Sequence, residues 1–411
     1  MSLEGLRCKE CGTSYPLEAL YVCDRCFGPL EVTYDFSAID ADSQKRKIQA
    51  GSNGIWRYAD FLPFSSRPAS ALEPGLTPLV RADRLAERLG VAEVWVKNDA
   101  ANPTHSFKDR VVAVALAKAL ELGFDTIACA STGNLANAVA AHAAAAGVES
   151  YVFVPADLEE QKLLATAVYG TNLVGVEGTY DDVNRLCTEL AQERGWAFVN
   201  VNLRPYYAEG SKTLAYEIAE QLGWQLPDRL VCPIASGSLF TKIGCGFSEW
   251  IELGLIEGEL PAFHGAQAAG CGPVATAYAA GHDVCRPVRP DTIAKSLAIG
   301  TPADGPYALD LARGTSGSIE SVTDDEIRAG IRLLAETTGI FTETAGGVTT
   351  ATVAKLAEAG ELSSDDRIVV VITGEGLKTL DAVRDGFEMH EILPTLTSFA
   401  EVVDDRSSVA F

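Results

Sequence analysis

The chain has 411 residues, which exceeds the size at which one hydrophobic core usually stops growing, so we expect two domains and a smaller module. Hydrophobic residues make up 47% and charged residues 22%, values that exclude a largely disordered chain. The net charge of −23 argues against nucleic-acid or anionic-lipid partners, because both are themselves negatively charged.

The N-terminus shows neither the charged and apolar regions of a signal peptide nor an apolar run of about 18 residues that would span a bilayer. We therefore expect a cytoplasmic protein without a membrane partner. In that compartment thiols stay reduced, so the six cysteines scattered beyond residue 100 are expected to be buried core residues.

Two tight cysteine pairs open the chain, in the pattern Cys8-x2-Cys11-x11-Cys23-x2-Cys26. Each pair can present two thiolates to a tetrahedral metal, and a segment this short cannot build its own core, so the pattern predicts a zinc ribbon over residues 1–34. Two disulfides or free thiols are the alternatives. Basic and acidic residues are nearly balanced here, which favours a structural Zn²⁺ over a nucleic-acid module.

From residue 70 onward, short β-branched runs alternate with alanine-rich helical patterns, which predicts an α/β architecture with buried parallel strands and crossover helices. The predicted strands are 94–97, 126–130, 150–154, 172–176, 230–234 and 367–372. The predicted helices are 109–122, 134–146, 180–194, 211–222 and 324–337.

Three turns follow predicted strands at the edge where open α/β sheets bind ligands, namely 131–136, 235–239 and 373–378. The first two open helices, whose N-termini favour anions such as a carboxylate or a phosphate. The third places a hydroxyl at the sheet edge. Taken singly, the three are also consistent with a plain N-cap, a tight turn and an ordinary strand end.

Lys108 begins a predicted apolar helix after a polar turn. Partial burial and the helix dipole both lower a lysine pKa there and make a nucleophilic amine available. Local physics alone nevertheless favours a surface lysine beside Asp109 and Arg110, because lysines are seldom buried.

The segment 97–110, KNDAANPTHSFKDR, resembles the cofactor-lysine motif of the fold-type-II pyridoxal-phosphate enzymes, and of threonine synthases in particular. Further similar stretches occur in the same order along nearly the whole chain, at 76–79, 131–134, 178–182, 209–213 and 373–378. Some threonine synthases also carry a four-cysteine module. This collinearity favours the cofactor role of Lys108 over the surface role.

The resemblance implies a tryptophan synthase β-like fold with two three-layer α/β domains and the zinc ribbon. We expect a large cofactor domain at 35–125 and 205–411 and a small inserted domain at 126–204. Lys108 would hold pyridoxal 5'-phosphate as a Schiff base and shuttle protons. The other implied cofactor-binding residues are Phe107, Asn134, Ala235, Ser236, Gly237, Ser238, Leu239 and Thr373. The implied substrate-binding residues are Ser131, Thr132 and Leu135 for a carboxylate, and Asn202, Arg204 and Lys212 for a phosphate.

The implied activity is that of a carbon–oxygen lyase acting on phosphates, which converts O-phospho-L-homoserine and water to L-threonine and phosphate. A homodimer is also implied. Two departures stand out, because His105 occupies a frequent glycine position and Tyr207 occupies a frequent arginine position. The alternatives are a serine/threonine dehydratase or another β-substituting enzyme, and a non-catalytic zinc-ribbon binding protein on the same scaffold.

Overall fold

A three-stranded antiparallel sheet forms the N-terminal module in the computed structural model, which describes residues 2–68, 72–158, 160–178, 180–384 and 389–407. Its strands are β1 (Ser2–Cys8), β2 (Ser14–Tyr15) and β3 (Leu30–Asp35), with β1 in the middle. Leu6, Leu30 and Val32 from this sheet pack in one hydrophobic cluster with Leu203 and Tyr206. The module is therefore anchored on the α/β body, by which we mean residues 41–378.

The first part of the α/β body contributes two strands to its larger sheet and also forms three helices. These are α1 (Ala41–Gln49), β4 (Leu79–Arg81), α2 (Asp83–Leu89), β5 (Glu93–Asn98) and α3 (Lys108–Glu121). β4 is antiparallel to β5 and forms one edge of the sheet. α3 is rich in alanine and valine and buried along most of its length, as expected of a helix enclosed within a large fold.

A second, smaller sheet occupies the next part of the chain. Its elements are β6 (Thr126–Ala130), α4 (Asn134–Ala146), β7 (Glu149–Pro155), α5 (Glu160–Ala167), β8 (Asn172–Val176), α6 (Tyr180–Glu193) and β9 (Ala197–Phe198). The four strands are parallel in the order β8-β7-β6-β9.

The chain then returns to the larger sheet. The elements are α7 (Arg204–Glu209), α8 (Lys212–Gln221), β10 (Arg229–Pro233), α9 (Ser238–Glu252), β11 (Ala262–Ala268), α10 (Pro273–Ala279), α11 (Gly305–Gly314), β12 (Ile319–Val322), α12 (Asp324–Thr338), α13 (Thr344–Glu358) and β13 (Arg367–Ile372). The six strands follow the order β12-β11-β10-β13-β5-β4. Since β13 lies between β10 and β5, this sheet combines chain segments before and after the smaller sheet.

Residue contacts divide the chain into two units, Met1–Lys378 and Thr379–Phe411, and the second contains α14 (Leu396–Ser407). The α/β fold class predicted from the sequence is confirmed, while the predicted domain boundaries remain a prediction. None of the helices in the described ranges is long and apolar enough to cross a membrane.

Candidate active site

Lys108 is the first residue of α3, and the backbone just before it runs against the end of β13. The Phe107 N–H donates to the Thr373 carbonyl over 2.9 Å, and Ser106 forms an isolated bridge with Gly374. In the turn after β13, Glu375 forms a second isolated bridge, with Thr342. Three segments distant in sequence therefore meet at Lys108.

The Lys108 amine lies in a partly aromatic environment. Its Nζ donates to the Tyr207 hydroxyl over 2.9 Å and lies 4.5 Å from the centroid of the Phe107 ring. All three residues are half-buried, so the amine is neither free in solvent nor sealed in the core. This position differs from the surface role that local physics alone favoured.

Four fully buried charged residues form a cluster, the internal ionic cluster, made of Lys97, Asp99, Arg110 and Glu217. Arg110 binds Asp99 through two nitrogens over 2.6 and 2.8 Å, and Lys97 binds Glu217 over 2.7 Å. Burial opposes ionisation of Glu217, but the charges of Arg110 and Lys97 outweigh it and lower its pKa to about 2. The cluster thus fixes both ends of the segment 97–110.

Asn134 and Thr373, which the sequence assigned to the cofactor ring, converge on one carboxylate. Glu343 accepts from Asn134 Nδ2 over 2.9 Å and from the Thr373 hydroxyl over 3.2 Å. Burial raises the pKa of Glu343, although the bond from Asn134 and the charge of Lys378 oppose this. A Cβ on Gly374 would lie 2.6 Å from this carboxylate, so any larger residue there would require Glu343 to move.

Lys378 closes this side of the site. Its Nζ donates to Asn134 Oδ1 over 2.8 Å and to the Thr104 carbonyl over 2.6 Å. Burial lowers the pKa of Lys378, partly offset by the charge of Glu343. Lys108 and Lys378 thus bring two basic groups to the site, next to the carboxylate of Glu343.

The predicted carboxylate turn joins β6 to α4. The Ser131 hydroxyl accepts from the Gly133 N–H over 3.3 Å, and Leu135 packs in the hydrophobic core of the smaller sheet. The first N–H groups of α4 have no partners within the helix, as at any helix N-terminus, and they face the same turn as Ser131 and Thr132. This donor set suits a carboxylate.

The predicted phosphate loop, Ala235 to Leu239, joins β10 to α9. Gly237 has a φ of 101° and a Cβ there would lie 2.8 Å from the Asp304 carbonyl, so only glycine fits without strain. Asp304 also donates its N–H to the Ser236 carbonyl and accepts from Arg204 over 2.9 Å. The predicted substrate arginine is thus linked to the predicted cofactor-phosphate loop.

The other two predicted phosphate residues have protein partners instead. Asn202 accepts from the Phe198 N–H and donates to the Trp196 carbonyl. Lys212 is 1% exposed and binds Glu209 over 2.6 Å and Glu249 over 2.8 Å. These contacts argue against a substrate-phosphate role for Asn202 and Lys212, which stays a prediction, because their polar atoms bind protein groups in this structure.

Lys212 belongs to a second set of charges, the module ionic cluster, which comprises Glu31, Glu209, Lys212, Lys242 and Glu249. Glu31 lies on β3 of the N-terminal module and binds Lys242 over 3.3 Å. Burial and Lys212 act in opposite directions on Glu209, and the lysine charges prevail and lower its pKa to about 2. This cluster joins the module to α7, α8 and α9.

The four cysteines of the module do converge. The sulfurs of Cys8, Cys11, Cys23 and Cys26 all lie within 4.8 Å of one another, and none is in a disulfide. A tetrahedral zinc with bonds of about 2.3 Å requires sulfurs about 3.8 Å apart, which this cluster can provide. Four thiols also match the ligand chemistry of a structural metal site.

Sequence reasoning missed Glu343 and gave Lys378 and Tyr207 no role in the site. Glu343 precedes α13, whose threonine-rich sequence was not recognised as a helix. Tyr207 stood out only as a departure from the family pattern. For Lys212 a signal was present, since Glu209, an acidic residue, lies only three residues earlier and pairs with it between the end of α7 and the start of α8.

Comparison with known proteins agrees with this geometry. Residues 71–374 match the family model described as "Pyridoxal-phosphate dependent enzyme". The chain is 39% identical to the threonine synthase of Methanocaldococcus jannaschii, with 92% of this chain and 93% of that protein covered. It is also 39% identical to the threonine synthase of Methanosarcina acetivorans at the same coverage, and 37% identical to that of Bacillus sp. strain ULM1 over 79% of this chain and 90% of that protein.

Solved structures of low identity share the fold. Threonine deaminase isoform 2 of Solanum lycopersicum superimposes with a TM-score of 0.64 at 19% identity and 90% coverage of both chains. An L-serine ammonia-lyase of Rhizomucor miehei superimposes with a TM-score of 0.65 at 22% identity, covering 76% of this chain and 99% of that one. These confirm the fold-type-II architecture. The chain therefore belongs to the pyridoxal-phosphate dependent enzymes and, within them, to the threonine synthases.

Proposed function

We propose that the protein is a threonine synthase that converts O-phospho-L-homoserine and water to L-threonine and phosphate. The observation that carries the proposal is the convergence of Lys108, Asn134 and Thr373 around Glu343 in a chain 39% identical to threonine synthases. Glu343 is close enough to Lys108 for the ammonium charge to affect its pKa.

The site suits pyridoxal phosphate in several respects. Lys108 supplies the amine that would hold the cofactor, and Asn134 and Thr373 supply polar contacts for its ring. The Ala235–Leu239 loop supplies the N–H groups of a helix N-terminus for its phosphate. The buried Ser106 hydroxyl, two residues from Lys108, has no protein partner among the described residues and is available to a bound group.

When bound, pyridoxal phosphate withdraws electrons from the substrate, which acidifies the protons on Cα and Cβ and allows phosphate to leave from Cγ. The chain's own residues would bind and orient the substrate. The turn at Ser131, Thr132 and Leu135 would hold the substrate carboxylate, and Arg204 would face the leaving phosphate. Lys108, once released by substrate, would move protons at Cα and Cβ.

Arg204 is half-exposed and its guanidinium is shared with Asp304 over 2.9 Å. An arginine held on one side by a carboxylate keeps donors free for a phosphate on another, because the guanidinium has five N–H groups. Arg204 is thus our remaining candidate among the three predicted phosphate residues.

We further propose that the four-cysteine cluster binds Zn²⁺ in a structural role, and that the protein acts in the cytoplasm as a homodimer. The thiol-only ligand set supports zinc, since four sulfurs at this spacing are typical of structural zinc sites. Metal analysis of the purified protein, with one zinc expected per chain, tests this assignment.

The test of activity is a substrate panel on the purified protein. O-phospho-L-homoserine is expected to release phosphate and yield threonine in equal amounts. Lys108→Ala should lower the rate about 10³-fold or more, whereas the surface variant Lys47→Ala should match wild type. Formation of keto acid from L-serine or L-threonine, without threonine from the phosphorylated substrate, would instead identify a dehydratase. No turnover of any amino acid would favour a non-catalytic binding protein.

A further inference from the structure

We propose that Tyr207 is a positioning residue whose hydroxyl holds the Lys108 amine in reacting position through both of its protonation states. The inference rests on the proposed function, because it assigns a partner to the lysine that would move protons on the substrate. It begins with one contact, the 2.9 Å hydrogen bond between Lys108 Nζ and the Tyr207 hydroxyl.

This hydrogen bond is specific on both sides. Among the described residues, Lys108 Nζ has no other protein hydrogen-bond partner, and neither has the Tyr207 hydroxyl. The Tyr207 ring packs against the hydrophobic core of the smaller sheet, which fixes the direction of the hydroxyl. The pair therefore forms an isolated polar contact at the centre of the site.

Tyr207 lies in the short helix α7 between residues that make buried contacts. The preceding Tyr206 is fully buried and donates to the Glu18 carbonyl of the N-terminal module over 2.8 Å. Two residues after Tyr207, Glu209 is 1% exposed and binds Lys212 and Lys242. A hydroxyl mounted between two buried anchors loses little entropy when it contacts the amine, and it keeps its position as the amine changes state.

A hydroxyl suits a proton-shuttling amine because it can both accept and donate. While Lys108 is an ammonium, one of its N–H groups donates to the Tyr207 oxygen. After the ammonium has given a proton to a substrate carbon, the neutral amine accepts from the Tyr207 O–H. No proton is gained or lost by Tyr207 in this cycle. An arginine at this position could only donate, and its charge would repel the ammonium.

The experiment compares Tyr207→Phe with Tyr278→Phe, which removes a hydroxyl bonded to the Gly317 carbonyl instead. The first measurement is the exchange of the Cα proton of L-2-aminobutyrate with D₂O, followed by NMR and expressed per bound cofactor. This amino acid has no leaving group, so the exchange isolates proton transfer from phosphate loss. Tyr207→Phe should slow the exchange about 10- to 100-fold, and Tyr278→Phe should leave it unchanged.

The second measurement is turnover of O-phospho-L-homoserine. For Tyr207→Phe, kcat should fall by a similar factor with little change in KM. A normal exchange rate with a raised KM would assign Tyr207 to the substrate phosphate and overturn the inference. A loss of cofactor content or thermal stability with normal exchange per bound cofactor would also overturn it, because the role would then be structural.

The wild-type chain separates the inference from the proposed function. Wild-type exchange without threonine formation would refute threonine synthase activity, while the effect of Tyr207→Phe on exchange would still decide the role of Tyr207. An absence of both exchange and threonine formation in the wild type would overturn both, and threonine formation without exchange would overturn the role of Tyr207 alone.

Discussion

The internal and module ionic clusters are both built from paired acidic and basic side chains, yet they differ in their distance from solvent. Every charged group of the internal cluster is 0% exposed. In the module cluster, exposure rises from 1% at Glu209 to 20% at Glu249 and 32% at Glu31. The first cluster is sealed within the α/β body, whereas the second extends into the N-terminal module.

Because of this difference, the two clusters suit different structural roles. A sealed cluster of matched charges tolerates no missing partner, since any unpaired charge remains buried, and it therefore gives the segment around Lys108 a rigid foundation. A graded cluster can exchange a lost partner for water at its outer end, which suits a contact between a small module and a larger body.

The largest effect is expected for Glu217→Gln, which leaves Lys97 and Arg110 with one carboxylate between them. We expect the free energy of unfolding to fall by about 3–5 kcal/mol, as when a buried ion pair loses one partner. Denaturant titration measures the change. Glu189→Gln, which removes a mostly exposed ion pair with Arg185, is the matched control and should change stability by less than about 1 kcal/mol.

The pH dependence of stability gives a check on the same group. The folded-state pKa of Glu217 is lowered to about 2 from 4.5, so its stabilising contribution is complete above pH 4.5 and is lost as the pH falls toward 2. This contribution is on the order of 3 kcal/mol, and it should be absent in Glu217→Gln. An identical acid dependence in both proteins would show that Glu217 does not carry it.

An intermediate effect is expected when the metal site is disrupted. Cys8→Ser, or removal of metal by a chelator, should lower the free energy of unfolding by about 3 kcal/mol, the linkage expected for free zinc at about 100 times its Kd. Thermal unfolding with and without chelator measures it. Cys285→Ser, outside the four-cysteine cluster, should remain as sensitive to the chelator as wild type. If the chelator left the thermal unfolding of the wild type unchanged, the proposal of a structural metal would be wrong.

The smallest effect is expected for Glu249→Gln in the module cluster. Burial raises the pKa of Glu249, with the nearby charge of Glu209 acting in the same direction, so the charged form is costly here. A neutral amide can still accept from Lys212 or Tyr216, and stability at neutral pH should change by less than about 1 kcal/mol. A loss as large as that for Glu217→Gln, measured by the same titration, would remove the distinction between the clusters.

Much of the fold was predictable because buried parallel strands have continuous apolar sequences. The buried strands 126–130 and 367–372 and the helix 134–146 have the predicted bounds, as does 172–176, which is a partly exposed edge strand and not the buried strand that was predicted. β11 was missed since Gln267 interrupts its apolar pattern, and this side chain accepts from the N–H groups of Val274 and Ala275 at the start of α10. α13 was missed because its threonines have low helix propensity, which tertiary packing overrides.

The candidate site was predictable only where the chemistry follows a local motif. Lys108 and the loops at the strand ends were identified in this way, although their cofactor roles remain proposals. Long-range pairs were not visible, because nothing in the sequence near Glu343 shows that it meets Asn134, 209 positions earlier in the chain. The departure at His105 was visible in the sequence, and its φ of 62° explains why glycine suits this position.

α7 has a consequence for how this chain can change in length. Its successive side chains serve different neighbours, with Tyr206 on the module, Tyr207 on Lys108 and Glu209 on the module cluster. Each residue of an α-helix turns the next by about 100°, so inserting or deleting one residue in α7 would redirect every later side chain to the wrong neighbour. We therefore expect insertions and deletions to be far less tolerated in this six-residue helix than in a mostly exposed connection such as 281–291, between α10 and α11.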